Sequence, residues 1–258
     1  DLVLYLERLP REGETLNADR FFEGPGGKGS NQAVASARLG ADVTFFGAIG
    51  KDQYGELALD TWRSAGVRTK AVMQKEEYRS GVAMIDVGRE GHNVFAVSQG
   101  SNLAISQEDL GIVEAAIADA DLLMCTLGVP LHVVERALSI AKQSGTRTVL
   151  NTAPAAHLSP SLIEAADYLS PNETELSVIL GEEVTGDNLI EASRRLITRD
   201  DQSLIVTLGG EGARWVTREE TELVPAFEVE AIDTVGAGDA FNAGFSVALA
   251  EGRTRTEA

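Results

Sequence analysis

The chain has 258 residues and a formal net charge of −18, with 43% hydrophobic and 24% charged residues, which is typical of one large globular domain. The acidic balance argues against nucleic acids and anionic membranes as partners, because their phosphates would be repelled. No apolar run approaches the roughly 18 residues of a membrane helix, and the single cysteine, Cys125, favours a reducing, cytoplasmic setting.

Strand-like and helix-like segments alternate along most of the chain. The strand-like runs are 41–49, 121–127, 147–150, 167–169 and 203–208. The helix-like segments are 29–39, 53–65, 108–118, 131–144 and 188–198. This alternation predicts an α/β fold whose mostly parallel central sheet is covered by helices on both faces. Ligands bind such sheets at the carboxyl ends of the strands, so the chemistry is expected in the loops there.

Two segments break the alternation. Residues 2–22 predict two strands joined by a turn at 10–13, and residues 80–97 predict two more strands joined at 88–91. Four short strands without helices indicate a small separate sheet. This sheet would be either a lid over the site or a decoration of a sheet edge, and the pattern alone leaves both interpretations open.

The first glycine-rich segment, at 24–31, reads Gly-Pro-Gly-Gly-Lys-Gly-Ser-Asn. Its glycines permit unusual backbone angles and close contact with a ligand. Asn31 follows on the first turn of a helix, where it offers both donors and acceptors to the hydroxyl groups of a sugar. Taken alone, the segment favours the simpler interpretation of a flexible loop with a helix cap.

A second motif, Ser-Pro-Asn-Glu-Thr-Glu at 170–175, follows directly after a strand-like run. Asn172 and Glu175 share one face if a helix begins here. That arrangement suits a water-mediated Mg²⁺ site, because Mg²⁺ keeps several waters and few protein ligands. The same spacing is also that of a capping box, and both interpretations can hold together.

A third motif, Thr-Leu-Gly-Gly-Glu-Gly at 207–212, forms a turn after the last strand-like run. Its backbone groups could wrap a nucleotide. In isolation, a plain hairpin turn is the simpler interpretation.

The strongest local signal is Asp-Thr-Val-Gly-Ala-Gly-Asp at 233–239, which opens a helix that runs to about residue 250. A helix start presents free N–H groups and a positive dipole end, which suit a phosphate or a developing anion. Asp239 in the first turn could accept a proton from an attacking hydroxyl. For this motif alone, a glycine-rich turn with an acidic residue that stabilises the helix dipole is the simpler interpretation.

Taken in order, these four motifs resemble those of the ribokinase family of sugar kinases, the phosphofructokinase-B type. Residues 26–41 with Gly-Lys-Asp-Gln-Tyr-Gly at 50–55 resemble its first signature, and residues 233–245 resemble its second. The Asn-Thr-Ala-Pro-Ala run at 151–155 and the motifs at 170–175 and 206–212 fall between them in the family's order. The resemblance implies one ribokinase-like domain over 1–258, a three-layer sandwich with a lid sheet from about 2–22 and 80–97.

The resemblance also implies an activity, the ATP-dependent phosphorylation of a hydroxyl on ribose or a similar pentose or ketose. Asp239 would be the base that takes the hydroxyl proton. The transferring phosphoryl group would be stabilised by the backbone amides of Gly236, Ala237 and Gly238. The residues matched to sugar binding, besides Asp239, are Asp1, Gly27, Lys28, Gly29 and Asn31.

ATP, Mg²⁺ and K⁺ are the cofactors that the resemblance implies. The residues matched to nucleotide binding are Asn172, Thr207, Gly209, Gly212 and Gly238. Glu175 would hold Mg²⁺ through water, and Asp233 with the carbonyl of Val235 would form part of a monovalent-cation site. The lid strands would also join two copies of the chain into a homodimer.

The chain departs from the family pattern in three places. The family has a further strand before the residue matched by Asp1, and it continues past the residue matched by Ala258 with a segment that completes the adenine pocket. Many members also carry a sugar-contacting Glu after the strand that here is 121–127, where this chain reads Thr-Leu-Gly-Val-Pro at 126–130. The missing acid leaves the identity of the sugar open.

Two other functions remain as alternatives. One is a nucleoside kinase of the same fold, although the glycine loop and residues 91–102 resemble ribokinase more closely. The other is a non-catalytic sugar or nucleotide sensor, against which the retained Asp239 and its Gly-Ala-Gly neighbour argue.

Overall fold

The computed structural model describes residues 1–89, 92–230, 234–254 and 257. Asp233, the predicted cation ligand, and part of the predicted turn at 88–91 lie outside the described residues. No helix in the described ranges combines the length and the apolar character needed to cross a membrane.

Strands and helices alternate through most of the chain, as the sequence predicts. The strands are β1 Leu2–Leu6, β2 Arg20–Glu23, β3 Thr44–Gly50, β4 Arg68–Lys75, β5 Val82–Gly88, β6 Asn93–Ser98, β7 Leu122–Thr126, β8 Arg147–Asn151, β9 Tyr168–Ser170, β10 Ser203–Thr207, β11 Ala213–Val216 and β12 Thr221–Val224. The helices are α1 Lys28–Arg38, α2 Gln53–Ser64, α3 Glu114–Asp119, α4 Leu131–Ser144, α5 Pro160–Ala165, α6 Glu173–Leu180, α7 Leu189–Leu196 and α8 Ala237–Ala250. Short 3-10 turns occupy Gly100–Ala104, Glu108–Ile112 and Gly209–Glu211.

One predicted helix is wrong in part. The segment 108–118 forms a 3-10 turn, Glu108–Ile112, and then the short helix α3. Gly111 lies in this segment, and glycine inside a helix costs about 1 kcal/mol relative to alanine. The break therefore falls beside the residue with the weakest helix propensity.

The central sheet has the strand order β12-β11-β10-β9-β8-β7. Strands β7 to β10 run parallel, whereas the pairs β10–β11 and β11–β12 at one end are antiparallel. Successive residues of its inner strands point to opposite faces. Leu150 packs on the face covered by α4 to α7, whereas its neighbour Val149 packs on the opposite face with Phe245 of α8. The structure therefore has the predicted α/β class with three layers.

Strands β3 and β4 form a separate parallel pair. Residues of β3 and β7 line the same cleft, but in the described ranges no hydrogen-bonded ladder joins these two strands.

The predicted small sheet is confirmed, with the order β2-β1-β5-β6. Its two faces differ. Ile85 and Phe95 line the cleft, whereas Phe21, Met84 and Val94 are not among the cleft-lining residues and are 56%, 57% and 54% exposed. The connection between β1 and β2 is a long loop with its turn at 11–14, where the backbone N–H of Glu14 donates to the carbonyl of Arg11.

The start of strand β5, in the small sheet, is anchored by Asp52. Its buried carboxylate caps helix α2 by accepting from the amide of Gly55 at 3.0 Å. It also accepts from the backbone N–H of Ser80 at 2.9 Å and from the Ser80 hydroxyl at 2.7 Å. Burial acts to raise the pKa of Asp52, but the bonds from Ser80 and Gly55 and the nearby charge of Arg79 outweigh it and hold that pKa below its usual value.

Asp52→Ala should lower the free energy of unfolding by about 2 kcal/mol at pH 7, because it removes a helix cap and the anchor of Ser80. The folded pKa of Asp52 lies below the unfolded value. The contribution of the Asp52 carboxylate to stability is therefore complete at pH values above its pKa in the unfolded chain. It is lost as the pH falls through its pKa in the folded protein. Urea unfolding should show the difference between variant and wild type narrowing below about pH 4.

Asp42→Ala is the matched control. Asp42 also pairs with an arginine, Arg68, but its side chain is 64% exposed, so its removal should change stability little. Equal losses in the two variants would contradict the anchoring role of Asp52.

Candidate active site

The N-termini of helices α1 and α8 meet at the carboxyl ends of β8 and β9. The side-chain amide of Asn31, on the first turn of α1, donates to Oδ2 of Asp239 at 2.8 Å. The neighbouring Gln32 donates from Nε2 to Oδ1 of the same carboxylate at 3.0 Å. The first glycine-rich motif and the last one, about 200 positions apart in the chain, therefore form one hydrogen-bonded site.

Helix α8 holds Asp239 in a fixed place. Gly236 precedes the helix with a φ of 78°, a left-handed conformation that favours glycine, and the helix then begins at Ala237. An acidic residue in the first turn lies near the positive end of the helix dipole. Asp239 is only 6% exposed, and both of its oxygens accept a side-chain donor. A carboxylate oriented in this way can take a proton from a hydroxyl group placed beside it.

The start of α8 is open above Gly238. A Cβ atom built on this glycine would meet no protein atom within 4 Å, and the residue is exposed. An anion can therefore approach the backbone closely at this point. Of the other two residues in the predicted anion hole, Ala237 already donates its amide to the carbonyl of Thr234 at 3.1 Å, and Gly236 is half-buried.

The glycine loop brings Asp1 to the same cleft. The backbone nitrogen and oxygen of Asp1 bond to Gly24 at 2.8 and 3.1 Å. The Asp1 carboxylate packs so closely on Gly26 that a Cβ there would lie 2.1 Å from its Cγ. Gly27, with a φ of 91°, then starts helix α1.

The other residues predicted to hold a sugar lie at the beginning of α1. Lys28 is exposed at the first position of the helix, and Gly29 is half-buried with Phe45 and Thr126 beside it. Both residues line the cleft together with Asp1 and Asp239.

The motif at 170–175 forms the predicted capping box. Asn172 Oδ1 accepts from the amide of Glu175 at 2.8 Å, and Glu175 Oε2 accepts from the amide of Asn172 at 3.1 Å. The hydroxyl of Thr152 also donates to Glu175 Oε2, at 3.2 Å. Asn172 in turn bridges to Thr207, whose amide donates to the carbonyl of Pro171 at 3.0 Å. The second and third motifs are therefore neighbours in the cleft.

The loop at 207–212 contains two glycines with different roles. Gly209 has a φ of 57° and is exposed, and no protein atom lies within 4 Å of a Cβ built on it. Gly212 has a φ of 105°, and its Cβ would lie 2.1 Å from the carbonyl oxygen of Val224. The second glycine is therefore required by the packing of β12, whereas the first leaves room for a ligand.

All four motifs contribute residues to one cleft of about 1510 Å³, the motif at 207–212 through Thr207. A single carboxylate, Glu175, fits a Mg²⁺ ion that keeps most of its waters, and the described residues contain no cluster of three metal-binding side chains. Val235 is half exposed in the loop before α8. Its predicted partner in the cation site, Asp233, lies outside the described residues, so this donor set is seen only in part.

Three polar residues of the site were given no role from the sequence, although they lie in segments 26–41 and 151–155 that carry the resemblance. Gln32 is 1% exposed, Asn151 is 6% exposed and Thr152 is fully buried. Gln32 lies beside Ala33 on the buried side of α1. The available signal for a role in the site was a polar residue among the small apolar residues of a helix. Asn151 and Thr152 follow a strand-like run, the position where ligand-binding loops are expected.

The whole chain, residues 1–258, matches the family model described as pfkB family carbohydrate kinase. It is 36% identical to the ribokinase of Haemophilus influenzae, in an alignment that covers 100% of this chain and 85% of the relative. It is 39% identical to the deoxyribokinase of Salmonella typhi, over 93% of this chain and 79% of the relative.

A solved structure shows the same fold. Arabidopsis thaliana ribokinase complexed with ribose and ATP superposes on this chain with a TM-score of 0.86 at 28% identity. The superposition covers 99% of this chain and 84% of that one.

Replacing Gly212 and Gly238 in turn should separate packing from ligand access. Gly212→Ala should lower the free energy of unfolding by more than about 1 kcal/mol, because its φ and the nearby Val224 carbonyl both exclude a side chain. Gly238→Ala should leave stability unchanged or slightly raised, because the new methyl group enters open space within a helix. Thermal unfolding of the two variants measures the contrast, and a comparable loss in both would contradict an open helix start.

Proposed function

The chain belongs to the pfkB family of carbohydrate kinases and is a sugar kinase, and we propose that ribose or a closely similar pentose is its acceptor. The relatives named for ribose and deoxyribose support this choice, since they match more than nine-tenths of the chain. The observation that carries the catalytic assignment is the buried Asp239 carboxylate, held beside an open helix start. A kinase family assignment argues against a sensor, and a nucleoside acceptor remains the second candidate.

We assign the general base to Asp239. The sugar hydroxyl gives its proton to this carboxylate as its oxygen forms a bond to the γ-phosphorus of ATP. The bond from that phosphorus to the bridging oxygen breaks, and ADP leaves with the electron pair. The N–H at Gly238 and the positive end of α8 stabilise the charge on the transferring group, which is where most of the catalysis in phosphoryl transfer arises.

The sugar is held, in this proposal, between the glycine loop and the lid. The proposed contacts are the residues that line this end of the cleft: Asp1, Gly27, Lys28, Gly29 and Asn31. Lid residues Ile85 and Phe95 face the same space. A side chain on Gly26 would displace Asp1, so the loop and Asp1 form one binding unit.

The nucleotide lies on the opposite side of Asp239 in this proposal, along Asn172, Thr207, the open Gly209 and the backbone of Gly212. Glu175 holds Mg²⁺ through water. When bound, Mg²⁺ supplies the positive charge that neutralises the phosphates of ATP. An acidic protein lacks such charge. The carbonyl of Val235 and Asp233 are the proposed part of a K⁺ site.

We also propose a cytoplasmic homodimer with one kinase domain per chain. The single cysteine is consistent with a reducing compartment. The outward face of the lid sheet, formed by Phe21, Met84 and Val94, carries exposed apolar side chains of the kind found at protein interfaces.

Asp239→Asn should abolish phosphoryl transfer, by at least about 100-fold in kcat, while the Kd for ATP changes little. The assay is ADP release with ATP, Mg²⁺ and K⁺, first with the wild type across ribose, deoxyribose, fructose, 2-keto-3-deoxygluconate and adenosine. A single preferred pentose would support the proposed substrate. Full activity of the variant would overturn the base assignment, and a preference for adenosine would favour the nucleoside kinase.

Met84→Glu should convert the dimer into monomers, because it places a charge in the centre of the apolar lid face. Light scattering at micromolar concentration measures the mass. Ile112→Glu is the matched control, since Ile112 is also 57% exposed but lies outside the lid sheet, and it should remain dimeric. A monomeric wild type would contradict the proposed dimer.

A further inference from the structure

Gln32 has no assigned role, yet it is among the most buried polar residues of the site at 1% exposure. Its Nε2 donates to Oδ1 of Asp239 and to Oδ1 of Asn151, both at 3.0 Å. A side-chain amide nitrogen has two hydrogens, so these two acceptors use both of its donors. The carboxylate can only accept when ionised, which fixes the orientation of the Gln32 amide.

Asn151 is held in turn by the sheet. Its Nδ2 donates to the backbone carbonyl of Ser170, at the end of β9, at 3.0 Å. This bond directs the amide oxygen of Asn151 toward Gln32. A chain of hydrogen bonds therefore runs from the backbone of the central sheet, through two oriented amides, to the carboxylate on α8.

The two donors to Asp239 differ in their surroundings. Asn31 is partly exposed in the cleft and donates to Oδ2, whereas Gln32 is buried and donates to Oδ1. The χ2 torsion of an aspartate is broad, so the plane of its carboxylate is set by the donors around it and not by an intrinsic preference. Gln32 also lines the cleft but is almost fully buried, so a ligand reaches Asn31 more readily than Gln32.

We propose that Gln32 is a positioning residue for the phosphoryl-transfer step: it fixes Oδ1 of Asp239 so that Oδ2 is presented to the sugar hydroxyl. This inference rests on the proposed role of Asp239 as base. Misplacement of a catalytic group by about 1 Å can lower a rate by two orders of magnitude, so a residue that never touches the substrate can still control kcat.

Gln32→Met tests the proposal, because methionine keeps the length of the side chain and removes both donors. We expect kcat to fall about 10- to 100-fold, while KM for the sugar and for ATP each change by less than about threefold. The kinetics are measured with the sugar that the substrate panel identifies. An unchanged kcat would overturn the positioning role.

Gln202→Met is the matched control for the loss of a buried amide. Gln202 is fully buried and donates Nε2 to two backbone carbonyls, of Ile163 and Ala166, at 2.7 and 2.8 Å. It should lower the melting temperature but leave kcat unchanged. A parallel fall of kcat in both glutamine variants would show that Gln32 acts only through stability.

A double variant tests whether Gln32 acts through Asp239. Added to Asp239→Asn, the Gln32→Met change should lower the residual single-turnover rate by less than about twofold, because the group that it positions is already lost. If the rate losses of the two single variants multiply in full in the double variant, the proposal is overturned. Asn151→Ala provides a second route if Gln32→Met does not fold, and should lower kcat without changing either KM.

Failure of the proposed function is recognised separately. A wild-type protein that phosphorylates none of the sugars, or an active Asp239→Asn variant, would overturn the function or the base assignment and the positioning role with it. The positioning role alone would be overturned by a third combination of results. In that case the wild type is active, Asp239→Asn is inactive, and Gln32→Met has an unchanged kcat.

Discussion

The site depends on one buried carboxylate shared between two helices. Asp239 belongs to α8, but among the described residues its side-chain donors are Asn31 and Gln32, near the beginning of α1. A buried anion without donors is strongly unfavourable, so the contact between these helices is fixed by the need to solvate Asp239 with protein groups. The position of the glycine loop follows, because it leads directly into α1. The proposed base and the proposed sugar contacts thus depend on the same electrostatic requirement.

The central sheet supplies the second part of the arrangement. Its parallel strands end at one edge, where Asn151 and Ser170 close β8 and β9 and where Thr207 closes β10. The capping box at Asn172 bonds to the next loop through Thr207, so the proposed metal and nucleotide loops share one hydrogen-bonded rim. The capping box that begins α6 thus also arranges this part of the cleft. The interpretations of this motif as a cap and as a ligand site therefore do not compete.

Much of the fold could be predicted from sequence, because long apolar strands and amphipathic helices carry strong periodic signals. The split at Gly111 and the short antiparallel strands β11 and β12 were not predicted, since weak local propensities are decided there by tertiary pairing. The glycine and acidic residues of the site could be found because they interrupt these patterns. Gln32 carried only a weak signal, because the burial of a single polar side chain on a helix depends on which residue of another helix faces it.

The carboxylate of Asp52 bonds both to helix α2 and to Ser80, which leads into β5 of the small sheet. This end of β5 can move away from α2 only if the two bonds to Ser80 break. Any motion of the small sheet over the cleft would therefore hinge elsewhere, because the segment at Ser80 is a fixed attachment point.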